Sequence, residues 1–359
     1  MNVSIPENLK NRVKSARIAR GWSQDELARR SGLSRSGISA IEIDRLVPSA
    51  IAALALAKAF SCRVEDLFSL GSPVVPHGVW AASPATSPCR YWHADVGGRR
   101  LHYPADLCGE TVLPHDGVFD GKSLCPAPQA EAEQTLVMAC CDPAVGLLAH
   151  ELARRAQIRL LVIPRSSRQA LDLLRDGLVH AAGLHLSRAG EDDNACAVRD
   201  SIASGTYSLL RVAQWEEGLA IAPGRQLRTV RSALRARLRW VGRESGSGAH
   251  QCLLEVRGDR PTPRHHASSH RGVAEAIRSG WADAGVCLRM VSDQAGLDFL
   301  TIREEAYDLC FAADSTHDPR IQALIEVVRS ASYRKLLGEL PGYSATSAGA
   351  IRTLTAPDN

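Results

Sequence analysis

The chain has 359 residues, of which 45% are apolar, 23% charged and 5% aromatic, proportions that leave no room for intrinsic disorder as its general state. At roughly 100 to 200 residues per domain, that length predicts two or three domains with cores of their own. Net charge is only +4 and all of the excess is at the front: residues 1–70 carry eleven Lys or Arg against seven Asp or Glu, and the other 32 of each sign cancel. A compact basic module on a neutral body is what contact with phosphates needs.

The opening segment MNVSIPENLKNRVKSARIARG has no apolar core between its basic residues, so no secretory signal is expected. The apolar stretch from Ile51 to Phe60 is interrupted by Lys58 and falls far short of the roughly 20 residues of a membrane span. A cytoplasmic protein with no membrane partner is the expectation. Its ten cysteines are then reduced thiols, and with no CxxC pair among them neither a disulfide framework nor a zinc ribbon is indicated.

In the first seventy residues, Leu9, Val13 and Ala16 fall at helical spacing between Asn8 and Arg20, and Gly21 ends the run. Ser23 with Glu26 three residues later forms a capping-box pattern before a second helix that buries Leu27 and Ala28. Gly32 and Leu33 make a tight turn, and Ser34 caps a third helix with Ile38 and Ile41 inside. Ser49 opens a fourth through Leu54, Leu56 and Ala57, and Val64 to Phe68 adds a last apolar turn.

The stretch WSQDELARRSGLSRSGISAIEIDRLVPS resembles the Cro and phage-repressor (XRE-like) helix-turn-helix, and the five-helix spacing fits throughout. In that family the second helix crosses the DNA backbone and the start of the third enters the major groove. The resemblance therefore implies a phosphate anchor at Gln24, base-edge contacts from Arg35, Ser36 and Ser39, and a backbone contact from Arg45. Gly37 departs from the family pattern, where a base-contacting side chain is commoner. Because one such module reads a half-site, the resemblance also implies a homodimer on double-stranded DNA.

Residues 71–130 change character, with Pro73, Pro76, Pro84, Pro88, Pro104, Pro114, Pro126 and Pro128 and repeated glycine. RYWHADV and RRLHY flank Gly97 and Gly98 as a hairpin would, so a small β-rich connector is expected. Its Cys89, His93, His102, Cys108, His115 and Cys125 match no tight metal-ligand spacing and read as packed thiols and solvated histidines.

From Thr135 the pattern alternates strand and helix: TLVMAC, Ala144 to Ala156, IRLLVIP, Arg168 to Arg175, HAAGLHL. A second set follows in LRWVGR, Ala249 to Val256, Gly272 to Arg278 and ADAGVCL, with SLLRVAQWEEGLAIAPG and DFLTIREEAYDLCFAA as two extended crossings between the sets. Repeated βα units imply parallel strands covered by helices. Two α/β lobes joined by two crossings resemble the type 2 periplasmic-binding-protein fold. More narrowly, CDPAVGLLA, EEGLAIAPG, VGRESGSGAH, SGWADAGV and GYSATSAG resemble the molybdate-binding-like domain found fused to helix-turn-helix modules. The fold class expected is thus multi-domain: an all-α helix-turn-helix domain at 1–70, the β-rich connector at 71–130, and an α/β two-lobed sensor at 131–354.

Ligands of such lobes bind beyond the carboxyl ends of the strands, where helix N-termini offer free N–H groups and partial positive charge. Three such ends recur: Cys141 and Asp142; Ser166, Ser167 and Arg168; and Ser245, Gly246, Ser247 and Gly248 after Arg243. His185 and Tyr307 fall on later strands of the same cleft. Hydroxyls, N–H groups and arginines suit an anion, and the resemblance implies a small oxyanion such as molybdate or tungstate, or a related metabolite. Asp142 fits an anion site only as a helix cap, and Cys140-Cys141 beside His185 leaves a soft metal or a sulfur-containing ligand open.

Catalysis has no motif here: SGSG is not a nucleophile elbow, and no phosphate-binding GxxxxGK[ST], HExxH or GxGxxG is present. His265, His266 and His270 follow Pro261 and Pro263 and read first as a solvated loop, second as a ligand-lid contact and third as a metal site. The expected function is a ligand-responsive DNA-binding transcriptional regulator with no catalytic residues, no assigned metal and no certain cofactor. The alternative kept beside it is a molybdenum-cofactor-related or other metabolic enzyme with an accessory helix-turn-helix.

Overall fold

The computed structural model describes residues 9–70, 79–108, 114–127, 132–186, 193–202 and 205–355; Pro73, Pro76 and Pro128 of the proline-rich segment and the side chain of Cys108 lie outside them. The chain divides into two compact units, Met1–Gly78 and Val79–Asn359.

The first unit contains strand β1 (Leu9–Asn11), helices α1 (Val13–Ala19), α2 (Gln24–Ser31), α3 (Arg35–Glu42), α4 (Ala50–Phe60) and α5 (Val64–Leu67), and strand β2 (Phe68–Leu70). The helix expected from Asn8 begins only at Val13, because the preceding residues pair antiparallel with β2. Asn11 makes the turn between strand and helix, its Oδ1 accepting from the Val13 N–H at 3.0 Å while its Nδ2 donates to the Ile41 carbonyl at 2.5 Å. Ser23, Ser34 and Ser49 cap α2, α3 and α4 as the sequence predicts, and Gly32 closes α2 at φ 72°, a left-handed conformation that glycine adopts without strain. Val13, Leu27, Ile38, Ile41, Leu56, Ala57, Phe60 and Leu67 form the core. Leu54, expected among them, is instead 61% exposed, since on α4 the inward stripe runs through Leu56, Ala57 and Phe60.

The second unit opens with β3 (Val79–Trp80), β4 (Cys89–Val96), β5 (Arg99–Pro104), β6 (Gly117–Phe119) and β7 (Leu124–Pro126), a five-stranded sheet in the order β3-β5-β4-β6-β7. Gly97 and Gly98, at φ 56° and 73°, make the β4–β5 hairpin with the twist that two-residue turns require. This sheet has no separate core. Trp92, Ala94, Leu101 and Tyr103 pack with Val137, Ala139, Leu161 and Ile163 of the following domain. Arg159 reaches back to grip Asp116 through two contacts of 2.6 Å.

The two-lobed part of the unit follows as β8 (Thr135–Cys140), α6 (Val145–Ala156), β9 (Arg159–Pro164), α7 (Ser167–Arg175), β10 (Ala181–Leu184), α8 (Asp193–Ser201), the long β11 (Thr206–Ile221), α9 (Val230–Arg235), β12 (Trp240–Arg243), α10 (Gly248–Arg257), β13 (His265–Ala267), α11 (His270–Arg278), β14 (Ala284–Leu288), α12 (Arg289–Gln294), the long β15 (Asp298–Ala312), α13 (Pro319–Arg329), α14 (Ala331–Gly338), β16 (Tyr343–Ser344) and β17 (Ile351–Thr355). One sheet runs β13-β12-β14-β11-β15-β10-β8-β9, with β16 and β17 also on β11. Parallel β8, β9 and β10 form the first lobe and parallel β12, β13 and β14 the second. The antiparallel pair β11 and β15, 16 and 15 residues long, runs through both, with register shifts between Arg211 and Ala213 and between Glu217 and Gly218. Among the described residues no helix is long and apolar enough to cross a membrane.

His180 joins the first lobe to the small sheet. Its Nδ1 accepts from the Val137 N–H at 2.9 Å and its Nε2 donates to the Asp95 carbonyl at 2.8 Å, a pairing that requires the neutral ring. Burial, with Arg320 adding to it, lowers its pKa from 6.5 to about 4. The folded state therefore binds this proton less readily than the unfolded chain, so its contribution is complete above pH 6.5 and is lost as pH falls from there toward about 4. Urea unfolding across that range is expected to show a loss of about 3 kcal/mol attributable to His180, and His180→Gln should flatten that part of the profile; a wild-type midpoint independent of pH would contradict it.

Candidate functional site

On the N-terminal unit, α1 and α3 meet at a buried ion pair. Arg17 Nε lies 2.6 Å from Glu42 Oε1 and Arg17 Nη2 is 3.1 Å from Oε2, with the Glu42 side chain 1% exposed. Gln24, at the first position of α2, donates its Nε2 to Glu42 Oε2 at 2.9 Å. It thus has an internal partner that sequence reasoning did not anticipate, one that holds α2 against the end of α3. Arg35 and Ser36 are exposed at the start of α3 and Ser39 is half-buried one turn on. Among the described residues Arg35 pairs with the exposed Asp25, at 3.4 Å. Arg45 is exposed in the turn after α3.

In the second unit, the ends of β8, β10 and β12 and the N-termini of α7, α10 and α11 converge where the lobes touch. Cys141 follows β8, and its Sγ lies 2.9 Å from His185 Nε2. The other ring nitrogen of His185, Nδ1, is 3.0 Å from Glu305 Oε2 on β15. Trp215 Nε1 donates to the same carboxylate at 3.4 Å, and Arg303 Nη2 reaches its Oε1 at 2.6 Å and Glu217 Oε2 at 3.0 Å. Ser167 Oγ accepts from the His185 N–H at 3.1 Å and so fixes the end of β10 against α7.

From the second lobe, Arg243 is 1% exposed. Its Nε and Nη2 engage Glu244 at 3.2 and 2.7 Å, and among the described residues Nη1 has no hydrogen-bond partner. His270, the first residue of α11 and also 1% exposed, has no partner for either ring nitrogen among the described residues. Gly248 brings α10 onto the first lobe so closely that a Cβ there would run into the His185 carbonyl, and one at Gly246 would come within 3.5 Å of Ser166 Oγ. A cavity of about 1330 Å³ opens beside this point, between α6 and β9 on one side and α11 and α12 on the other, lined among others by Pro143, Val145, Arg165, Ser269 and Arg271.

The electrostatics follow from burial and partners. Burial opposes ionisation of Cys141, yet His185 and Arg243 outweigh it and hold the thiol below its ordinary range. His185 is correspondingly held well above the usual imidazole value, its burial outweighed by Cys141 and Glu305. Burial, reinforced by Arg243 and His185, pushes His270 well down and keeps it neutral. Burial and the Glu305 charge push Glu217 up, so the carboxyl pair retains one proton. A thiol held below its ordinary range beside one imidazole, with a neutral imidazole and a guanidinium edge nearby, can accept either a metal ion or an anion.

A family model described as a PBP superfamily domain matches residues 149–329. The chain belongs to the PBP superfamily. A helix-turn-helix model matches residues 13–67, so this PBP superfamily chain carries an XRE-like helix-turn-helix at its N-terminus. Among curated proteins it is 25% identical over 220 residues to the uncharacterized protein YvgK of Bacillus subtilis (strain 168), covering 58% of this chain and 71% of that one. Its N-terminal part is 44% identical over 62 residues to the uncharacterized HTH-type transcriptional regulator YgzD of the same organism, covering 17% of this chain and 94% of that one. Similar solved structures include the tungstate ABC transporter from Geobacter sulfurreducens, at 16% identity and TM-score 0.44 over 58% of this chain and 100% of that one. An ABC-type phosphate transport receptor from Vibrio cholerae aligns at 12% identity and TM-score 0.42 over 58% and 99%.

Within this PBP superfamily domain, the structure brings together Cys141, Ser166, His185, Arg243, Gly246 and Gly248 of the residues singled out from sequence. Others stand apart or are occupied. Asp142 is turned away as a cap, its Oδ1 accepting from the Ala144 N–H at 2.8 Å and the Tyr343 hydroxyl at 3.0 Å; burial raises its pKa to about 6 against the pull of both donors. Ser247 caps α10, accepting from the His250 N–H and donating to the Glu244 carbonyl. Arg168, although it lies against Gly246, and Ser245 are exposed, and Tyr307 stacks on Trp215 at 4.6 Å behind the cleft.

Sequence reasoning missed Glu305, Arg303 and Trp215, and ranked a ligand or metal role for His270 below a solvated loop. Charged residues inside the strand β15 were the available signal for the first two. His270 was read with His265 and His266 as a solvated loop; those two are indeed exposed on the edge strand β13, but His270 starts a helix whose N-terminus points inward. Because α10 and His185 are in backbone contact, Gly248→Ala is expected to cost about 1–3 kcal/mol by overpacking in thermal unfolding of the ligand-free chain. An unchanged melting curve would show that this contact is not made in solution.

Proposed function

We propose that this chain is a cytoplasmic, homodimeric transcription regulator in which a small anion, an oxyanion of the molybdate or tungstate kind or a related metabolite, is held between the sensor lobes and sets operator affinity. In this reading residues 1–70 bind DNA, 131–354 bind the ligand, and the sheet within 71–130 moves with the first lobe because it shares that lobe's core. The observation that carries the anion class is Arg243, a buried guanidinium with one N–H edge unpartnered among the described residues, placed where three helix N-termini meet. Asp142 does not oppose an anion there, since its carboxyl is spent as a cap.

The DNA face is supported by the exposure of Arg35 and Ser36 at the start of α3 and by Arg45 just beyond it. A dimer is supported by half-site logic and by the exposed apolar side chains of Ile43, Leu46, Val47, Ile51 and Leu54 beside α3 and along α4. Ligand held by both lobes favours their closed arrangement, and a coupling of about 1–3 kcal/mol changes operator affinity roughly 5- to 150-fold, with DNA changing ligand affinity by the same factor.

Arg35→Ala is expected to weaken operator binding by about 1–3 kcal/mol and to relax base preference, measured at fixed salt. An unchanged affinity would remove α3 from the groove. Calorimetric titration with molybdate, tungstate, sulfate and phosphate should show binding by at least one, lost in Arg243→Ala; no heat from any of them would remove the anion class. Light scattering that shows only monomer, free and on a full operator fragment, would remove the dimer.

A further inference from the structure

Two buried histidines and the half-buried Cys141 remain in the cleft after the anion reading has used Arg243. We propose that Cys141, His185 and His270 bind one divalent, borderline-soft metal ion of the zinc type, and that the ion clasps the two lobes together. Cys141 and His185 come from the first lobe, after β8 and β10, and His270 from the second, at the start of α11. Filling the site therefore ties the lobes through coordinate bonds.

One donor atom from each residue lies within 4.8 Å of the other two, and Cys141 Sγ and His185 Nε2 are 2.9 Å apart. Zinc–sulfur bonds of about 2.3 Å and zinc–nitrogen bonds of about 2.0–2.1 Å place tetrahedral donors roughly 3.5 Å apart. The observed separations, 2.9 Å for one pair and at most 4.8 Å for the others, lie around that value. A thiolate and two imidazoles suit zinc and exclude magnesium and calcium, which take oxygen ligands.

Two further observations point to an ion. His270 is 1% exposed with both nitrogens unpartnered among the described residues, and a buried imidazole in that state lacks a bond that a metal supplies. His185 is backed by a carboxylate, Glu305 Oε2 at 3.0 Å from Nδ1, and this outer contact fixes the ring with Nε2 towards Cys141, where a metal would take the place of the Nε2 proton. Glu305 is held in turn by Trp215 and Arg303. The neighbouring trio of His185, Glu217 and Glu305 also has its donor atoms close together, but Arg303 engages both carboxylates there and leaves no room for a second cation. Arg243, the other positive group nearby, has its charge met by Glu244 at 2.7 Å.

Three protein donors leave a fourth position on the ion, which the anion beside Arg243 would complete; only this regulatory consequence rests on the function proposed above. The full chain, reduced and stripped with EDTA, should take up one Co²⁺ per chain with a thiolate-to-cobalt absorption band that Zn²⁺ displaces. The band should be absent in Cys141→Ser. His270→Gln should weaken Co²⁺ binding more than about tenfold and Glu305→Gln about 10- to 100-fold, while His265→Gln on the exposed strand binds as wild type. Zn²⁺ should raise the melting temperature of the wild type and not of His270→Gln, which keeps the test open if Cys141→Ser folds poorly. No thiolate band, or wild-type affinity in His270→Gln, would overturn the site. Metal binding as described, with operator affinity equal in EDTA and in Zn²⁺, would leave the site standing and overturn its role in regulation.

Discussion

A carboxylate on the second crossing strand governs the centre of this molecule. Glu305 is 1% exposed, and an ionised carboxyl so far from water persists only with partners that replace its hydration. Arg303, His185 and the Trp215 indole N–H supply them. The arrangement follows from strand periodicity: residues two apart share a face, so Arg303, Glu305 and Tyr307 line one side of β15. Their register partners across β11 are Glu217, Trp215 and Ala213. Charged, aromatic and small residues thus alternate into one buried layer where the two lobes join, and the register shifts that interrupt the pair sit at its two ends, after Arg211 and after Glu217.

What Glu305 fixes, the glycines allow to approach. Gly183 on β10 lies so close to Cys140 and Tyr307 that a Cβ would come within 2.5 Å of each, and Gly248 does the same against His185 from the opposite lobe. Without side chains at these two positions, helix N-termini from both lobes reach the same small volume. The result is a site whose polar groups come from separate segments, each held by a contact outside the site: His185 by Glu305 and Ser167, Arg243 by Glu244, Asp142 by Tyr343. Such outer contacts set orientation and protonation more than they add stability.

The N-terminal unit uses the same device on a smaller scale. Half-buried Arg17 and Gln24 both bond the buried Glu42, an open polar triangle that ties α1 and α2 to α3. Buried ion pairs add little net stability compared with apolar packing, but once present they are costly to break and tolerate few geometries. Here the triangle fixes the angle at which α3 presents Arg35 and Ser36, while Leu27, Ile38 and Ile41 supply the burial.

Local signals were enough for most of the architecture. Serine caps, the glycine turn after α2 and the alternation of βα units are short-range patterns, and they located the helix-turn-helix, the β4–β5 hairpin and both lobes with boundaries shifted by a few residues. The XRE-like motif and the PBP superfamily membership were legible for the same reason, since both are written in spacings within continuous segments. The sequence also marked Cys141, His185 and Arg243, because each falls at or next to the end of a predicted strand. It could not reveal that β1 replaces the first turn of α1, since that depends on pairing with a strand almost sixty residues away. Nor could it tell His270 from His265 and His266, or give Glu305 its partner 120 residues earlier in the chain. Those outcomes belong to the tertiary structure: which face of a helix turns inward, and which charge finds its counterion, are settled only when distant segments compete for the same buried space.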